Sequence, residues 1–427
     1  MYPLNENVRG LAPSATISIN ALSRQMQAEG RSVARLGLGQ SPFPVPQVMR
    51  DALARHAGEK DYLPVKGLPA LRQAIADWLR RTEGLDYDPE HVLVGPGTKE
   101  LMFLLQLTYH GELVIPAPSW VSYAPQARII GRQCRWLPTD IEHGLRVTPE
   151  ALEAICRSDP YRARLLILNY PGNPTGASYG RDQLQAIAEV ARRYRVVVLS
   201  DEIYSGLDFA GDHVSIARYY PEGTIVSNGL SKWAGAGGWR LGAFAFPDQL
   251  AWLAVAMAAV ASETYTSTAA PIQYGAIAGF EDSGEMAAYL VAARQVMGAI
   301  LGAGHRLLVD VGARLPEPDG GFYLFPDFTA LADGLRRRGM TNSAQLCRRA
   351  LEEIGVACLP GSDFGRPPEE LSVRLACVDF DGARALAAAS RLSSGELADE
   401  AFLRGHCNPT FTALERLCDW VGAGAMT

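Results

Sequence analysis

The feature that most constrains this chain is a rhythm. Short apolar runs, each the length of one buried strand, alternate with longer amphipathic stretches through its middle. The runs fall at 91–94, 112–115, 164–169, 196–200, 224–227 and 241–246, and helical periodicity fills spans between them, as at 99–107 and 182–194. Brief apolar runs followed by a period near 3.6 predict strands joined by crossover helices. The expected fold is α/β, a mostly parallel central sheet covered by helices on both faces, and chemistry is expected at the strand C-termini and the loops after them.

The flanks differ. Before residue 50 the chain is rich in Pro and Gly after one helix at 18–30, and beyond 289 it returns to helices with strand-like pieces at 321–325 and 371–378. The expected division is an N-terminal arm and small-domain segment (1–47), a large domain (48–289), and a small α+β domain (290–427) completed by both chain ends. Net charge is 40 − 46 = −6, with no run of five or six like charges, which gives no electrostatic reason for a nucleic acid or anionic membrane partner. The longest apolar stretch, 250–261, is short of the ~20 residues that cross a bilayer and is expected as a buried helix. The N-terminal residues show no basic start followed by an apolar block, and the seven cysteines are scattered without CxxC spacing. Neither a disulfide framework nor a metal site is expected, and the cytoplasm is the expected compartment.

Lysine occurs only at 60, 66, 99 and 232. Lys232 lies in SNGLSKWAGAGGWRLG, a glycine-rich turn after an apolar strand, and reads either as an amine nucleophile for an aldehyde cofactor or as a loop lysine. Arg240 reads as a phosphate clamp or as a solvated arginine. Gly97-Thr98-Lys99 opens a helix after the strand at 91–94, suited either to a phosphate on free N–H groups or to an ordinary cap made by Thr98. Asp201 and Tyr204, in DEIY, and Asn173, in NYPGNPTG, follow buried strands and emerge at the crevice, yet caps and tight turns use the same residues. Arg374 interrupts the apolar run SVRLACV and must find an anion, from ligand or from protein. Trp120, in PAPSWVSY, suits stacking on a flat ring or burial in the core, and Tyr62 has no role derivable from its local pattern. Neither GxGxxG after a strand nor GxxxxGK[ST] is present, which weighs against dinucleotide and P-loop readings.

In order, PSATISINALSRQMQAEG (13–30), YLPVKGLPALR (62–72), GPGTKE (95–100), SWVSY (119–123), NYPGNPTG (169–176), SDEIY (200–204), SKWAGAGGWRLG (231–242), GGFYLFPD (320–327), GVACLPGSDFG (355–365) and VRLACV (373–378) resemble the aspartate aminotransferase family. These are the class I and II aminotransferases among the fold-type I pyridoxal-phosphate enzymes. The resemblance implies that Lys232 binds the coenzyme aldehyde and then moves the proton between substrate and coenzyme, while Asp201 pairs with the pyridine nitrogen. It places Asn173 and Tyr204 on the ring's 3′-oxygen and Trp120 on its face. Phosphate falls to Gly97, Thr98, Lys99, Ser231, Arg240 and the Tyr62 of a neighbouring subunit, which requires a homodimer. Arg374, Gly39, Asn173 and Trp120 are implied to bind the substrate.

The implied activity is transfer of an amino group between an L-amino acid and a 2-oxo acid in two half-reactions. Another reaction of the same coenzyme (lyase, decarboxylase, synthase or oxidase) and a non-catalytic ligand sensor are the alternatives. Three departures from the family stand out. The GEPDF-like segment reads Gly39-Gln40-Ser41-Pro42-Phe43 and lacks its acids, the common phosphate-binding serine is Gly229, and 393–409 reads as an insertion before a last helix at 410–421.

Overall fold

The computed structural model describes residues 4–392 and 398–423. Its strands are β1 (Ala34–Arg35), β2 (Val92–Gly95), β3 (Glu112–Ala117), β4 (Cys134–Pro138), β5 (Arg164–Asn169), β6 (Val197–Asp201), β7 (Thr224–Gly229), β8 (Gly242–Ala245), β9 (Tyr323–Leu324), β10 (Val356–Ala357), β11 (Leu359–Pro360) and β12 (Val373–Ala376). Seven of them form the main sheet in the order β2-β8-β7-β6-β5-β3-β4. It is parallel from β4 to β7, and β8 runs antiparallel to both β7 and β2.

Alternation along β5 shows why this sheet is double-faced. Leu165 and Ile167 pack with Leu199 and Phe244 on one face, whereas Leu166 and Leu168 pack with Val198 and Leu184 on the other. Helices Thr98–Thr108 and Ala251–Ser262 cover the first face, and Pro149–Ser158 and Arg181–Arg193 the second. Each large side chain so buried contributes about 1.5–3 kcal/mol, which offsets the entropy of ordering the strands.

Around the chain ends, β1 pairs with β10 in parallel, and β11-β12-β9 form a small antiparallel sheet, so an N-terminal strand is sealed by the C-terminal part of the chain. The long helix Gly284–Asp310 is apolar enough to span a bilayer by length and composition, but here it buries Val296, Met297, Ile300 and Leu301 in the protein core.

Several expectations need correction. The helix expected at 18–30 is Ala15–Ala28. The segment 250–261 forms the helix Ala251–Ser262, which is only partly buried, since Trp252 is 55% and Val255 59% exposed. The edge strand β4 was not foreseen, because Arg135 and Trp136 face outward and break its apolar run. Of the expected insertion, 393–397 lie outside the described residues, 400–406 form the helix Glu400–His406, and the last helix starts earlier than expected, as Asn408–Gly422.

Candidate active site

Register at the C-terminal edge of the sheet builds the site. Asn169 and Asp201, at the ends of β5 and β6, stand abreast of Ser227 in β7. Asp201 is buried, and its Oδ2 accepts a 2.5 Å hydrogen bond from the Tyr123 hydroxyl while Oδ1 has no partner. Burial pushes this carboxyl up to about 6, against the opposing pull of the Tyr123 bond.

Lys232 follows β7, and its Nζ donates to the Gly39 carbonyl at 2.6 Å. Burial, then the charge of Arg374, bring its amine down to about 7. A large fraction is therefore neutral and nucleophilic near neutral pH, which an exposed lysine is not. Tyr204 completes this end of the cavity, with its hydroxyl 2.9 Å from that of Tyr323.

The other end is an anion cradle. Gly97 is the N-cap of helix Thr98–Thr108, and no side chain caps it. The ordinary cap by Thr98 is thus absent, and the N-terminal N–H groups meet the cavity where the helix dipole favours negative charge. A Cβ on Gly97 would lie 2.4 Å from Arg240 Nη2, and one on Gly242 would lie 2.4 Å from the Thr98 amide nitrogen. Gly242 needs glycine for this close approach of backbone, and Gly97 needs it for its φ of 93°. Arg240 is held in the left-handed region (φ 52°), with Nη1 donating to Gly237 O at 2.9 Å. A side-chain-bearing residue tolerates that conformation only where its surroundings enforce it. Ser231 also lines the cavity, and the Lys99 ammonium lies 5.1 Å from the centre of the Trp120 ring.

Arg374, on β12, is 1% exposed. Its Nη1 donates to Asn173 Oδ1 at 3.2 Å and its Nη2 to Gly37 O, while Nε has no partner. Among the described residues it forms no direct ion pair; burial disfavours its charge, and Tyr323, Tyr204 and Asp363 offset this only through longer-range attraction. Its guanidinium lies 4.7 Å from the centre of the Tyr323 ring.

These groups converge on one cavity of about 450 Å³, within the range for a small-molecule site. Of the residues singled out in the sequence, Gly39, Thr98, Lys99, Trp120, Asn173, Asp201, Tyr204, Ser231, Lys232, Arg240 and Arg374 line it. Gly97 abuts it through Arg240. Tyr62 stands apart from this cavity and is 91% exposed. Tyr123 and Tyr323 were missed: each lies inside a quoted motif, but its partner is distant in the chain, Asp201 for one and Tyr204 for the other.

A mostly parallel sheet with this cavity at its strand ends is the fold-type I transferase architecture. Aspartate aminotransferase from Thermus thermophilus, solved with maleate, matches it with a TM-score of 0.82 at 28% identity, over 98% of this chain and 100% of that one. Aromatic aminotransferase from Pyrococcus horikoshii OT3 matches with a TM-score of 0.77 at 27% identity, over 94% and 100%. Residues 31–389 match the family model for aminotransferase class I and II. The curated aspartate aminotransferase of Geobacillus stearothermophilus is 35% identical over 85% of this chain and 92% of its own. The aspartate/prephenate aminotransferase of Thermus thermophilus is 31% identical over the same shares. The chain belongs to the class I and II aminotransferases and is a transaminase. Lyase, decarboxylase and sensor readings are not favoured.

Proposed function

We propose that the protein is a pyridoxal 5′-phosphate-dependent aminotransferase that works by two half-reactions, with Lys232 as its nucleophile. The observation that carries this is the pairing, in one cavity, of a depressed buried amine with a buried carboxylate whose Oδ1 has no partner. The residues present fit the coenzyme. Asp201 Oδ1 would accept from its ring nitrogen, Asn173 and Tyr204 would meet its 3′-oxygen, and Trp120 would cover its ring. The uncapped N-terminus at Thr98, with Ser231 and Arg240, would take its phosphate.

Bound there, the coenzyme supplies an aldehyde for the amino group and a ring that draws electrons from the substrate's Cα–H bond. The protein's own residues do the rest. Arg374 binds the α-carboxylate of the substrate, which answers the unpartnered donor on its Nε. Lys232, once free, takes the proton from the substrate's Cα and would pass it to the coenzyme, acting as a general base with a pKa near the working pH. Tyr323 supports the Tyr204 hydroxyl.

Two further points belong to the same reading. Among the described residues the Lys99 ammonium has no ion-pair partner and its residue lines the cavity, which together with the aspartate aminotransferases among the relatives supports a dicarboxylic amino donor such as aspartate. Exposure of Tyr62 away from its own cavity supports a homodimer in which Tyr62 reaches the neighbouring site. An amino-donor panel tests the activity. Each productive donor should convert bound coenzyme to its amine form once, and continued turnover should require a 2-oxo acid. Many turnovers without that acceptor would refute transamination.

A further inference from the structure

Lys232 approaches the cavity from the loop after β7, whereas Asp201 ends β6 and Tyr204 lies in the loop that follows it. One buried side chain joins the two loops. Asn228 Nδ2 donates to Glu202 O at 3.0 Å and to Ser205 Oγ at 3.0 Å, and its Oδ1 accepts from Gly229 N at 2.7 Å and from Trp233 Nε1 at 3.0 Å. A carboxamide has two donor hydrogens and two acceptor lone pairs, so every capacity of Asn228 is used. Its orientation is also determined, because exchanging N and O would set oxygen against the Glu202 carbonyl and N–H against the Trp233 N–H.

The two donor contacts bracket the segment that carries Tyr204, at Glu202 on one side and Ser205 on the other. Glu202 is also the neighbour of Asp201. On the acceptor side, Trp233 directly follows Lys232. Its indole is 2% exposed, stacks on Trp78 at 6.3 Å and 7°, and meets Phe280 edge-on at 5.8 Å. Gly206 backs onto it so closely that a Cβ there would lie 2.6 Å from Trp233 Cβ. The indole is therefore a fixed anchor, and the amide transmits its position to the loop after β6.

We infer that Asn228 is a positioning residue that sets Asp201 and Tyr204 at working distance from Lys232 by tying both loops to one amide. It is not among the residues that line the cavity. The inference rests on the reading above that those three residues face the coenzyme.

Trp233→Phe keeps an aromatic ring but deletes the Nε1 donor, and Asn228→Ser withdraws the amide from both loops. Leu152→Ala, in the core on the far side of the sheet, serves as a control for loss of stability alone. For each protein the pH midpoint of the bound coenzyme's absorbance, kcat, KM and Tm are measured. Both brace variants should move the midpoint by about half a pH unit or more, and lower kcat about tenfold with KM within about twofold. Leu152→Ala should lower Tm and leave midpoint and kcat unchanged. If the brace variants lower only Tm, as the control does, the inference is overturned. Should Asn228→Ser not fold, Trp233→Phe decides alone. A wild-type protein that takes up no pyridoxal 5′-phosphate would instead overturn the underlying functional reading.

Discussion

Tyr123→Phe isolates the group that holds Asp201 for the proposed ring nitrogen. The substitution removes a hydroxyl that donates to Asp201 Oδ2 at 2.5 Å and leaves the buried ring in place. A hydrogen bond to a charged group is worth about 1.5–3 kcal/mol, and one pH unit corresponds to about 1.4 kcal/mol. The carboxyl, already pushed up to about 6 by burial, should rise further by roughly 1–2 pH units. At pH 7 its ionised share would then drop from about nine-tenths to between about a half and a tenth. Coenzyme held through that anion should bind roughly 2–10-fold more weakly at pH 7.

The assay is titration of apoprotein with pyridoxamine 5′-phosphate between pH 5 and 9, since the amine form needs no bond to Lys232. The acid limb of the association constant should move upward by roughly 1–2 pH units in the variant. Titration of Lys232 is common to both proteins, so the difference reports on Tyr123. An acid limb that stays in place, or moves downward, would refute the argument that this bond keeps Asp201 ionised.

Arg374→Gln removes a buried cation from the proposed α-carboxylate site and should raise KM for amino and oxo acids about 10–100-fold in steady-state assays, more than it lowers kcat; an unchanged KM would remove Arg374 from that role. Tyr62→Phe should leave the proposed dimer intact by sedimentation yet weaken retention of coenzyme on dialysis several-fold, and wild-type retention would place the phosphate contact elsewhere. On the opposite side of β6, burial first and then the charge of Glu202 push the Glu83 carboxyl up to about 7, against the pull of His213 and Arg218. A carboxyl raised on folding favours the native state while protonated, so this contribution is present at low pH and lost between the unfolded value, about 4.5, and 7. Thermal melts of apoprotein should therefore show Tm falling from pH 5 to 7, and Glu83→Gln should flatten that slope; an unchanged slope would show that Glu83 does not titrate there.

The parts of this fold that were legible in the sequence are those set by local pattern. Arg164–Asn169 was placed to the residue because its apolar run is continuous and ends at a Pro-Gly turn. β8 was expected as a strand, but its antiparallel direction was not, since direction depends on how a short glycine-rich connection returns the chain. β4 was lost because edge strands expose part of their run. The site divides in the same way. Lys232, Asp201, Asn173, Arg240 and Arg374 stand in recognisable segments, and the structure brings them to one cavity. Tyr123, Tyr323 and Asn228 act on groups that other elements supply, and only the folded chain shows those distances. Thr98 illustrates the converse: its local pattern suggested a cap, whereas Gly97 takes the N-cap and leaves the helix end open.

The most direct test of the central claim is reduction of coenzyme-loaded protein with borohydride, followed by peptide mass mapping. A bond between pyridoxal 5′-phosphate and the amine of Lys232 predicts one modified peptide, carrying the phosphopyridoxyl group at Lys232 and missing from Lys232→Ala. A label at Lys60, Lys66 or Lys99 instead, or no label on protein that has taken up the coenzyme, would contradict it.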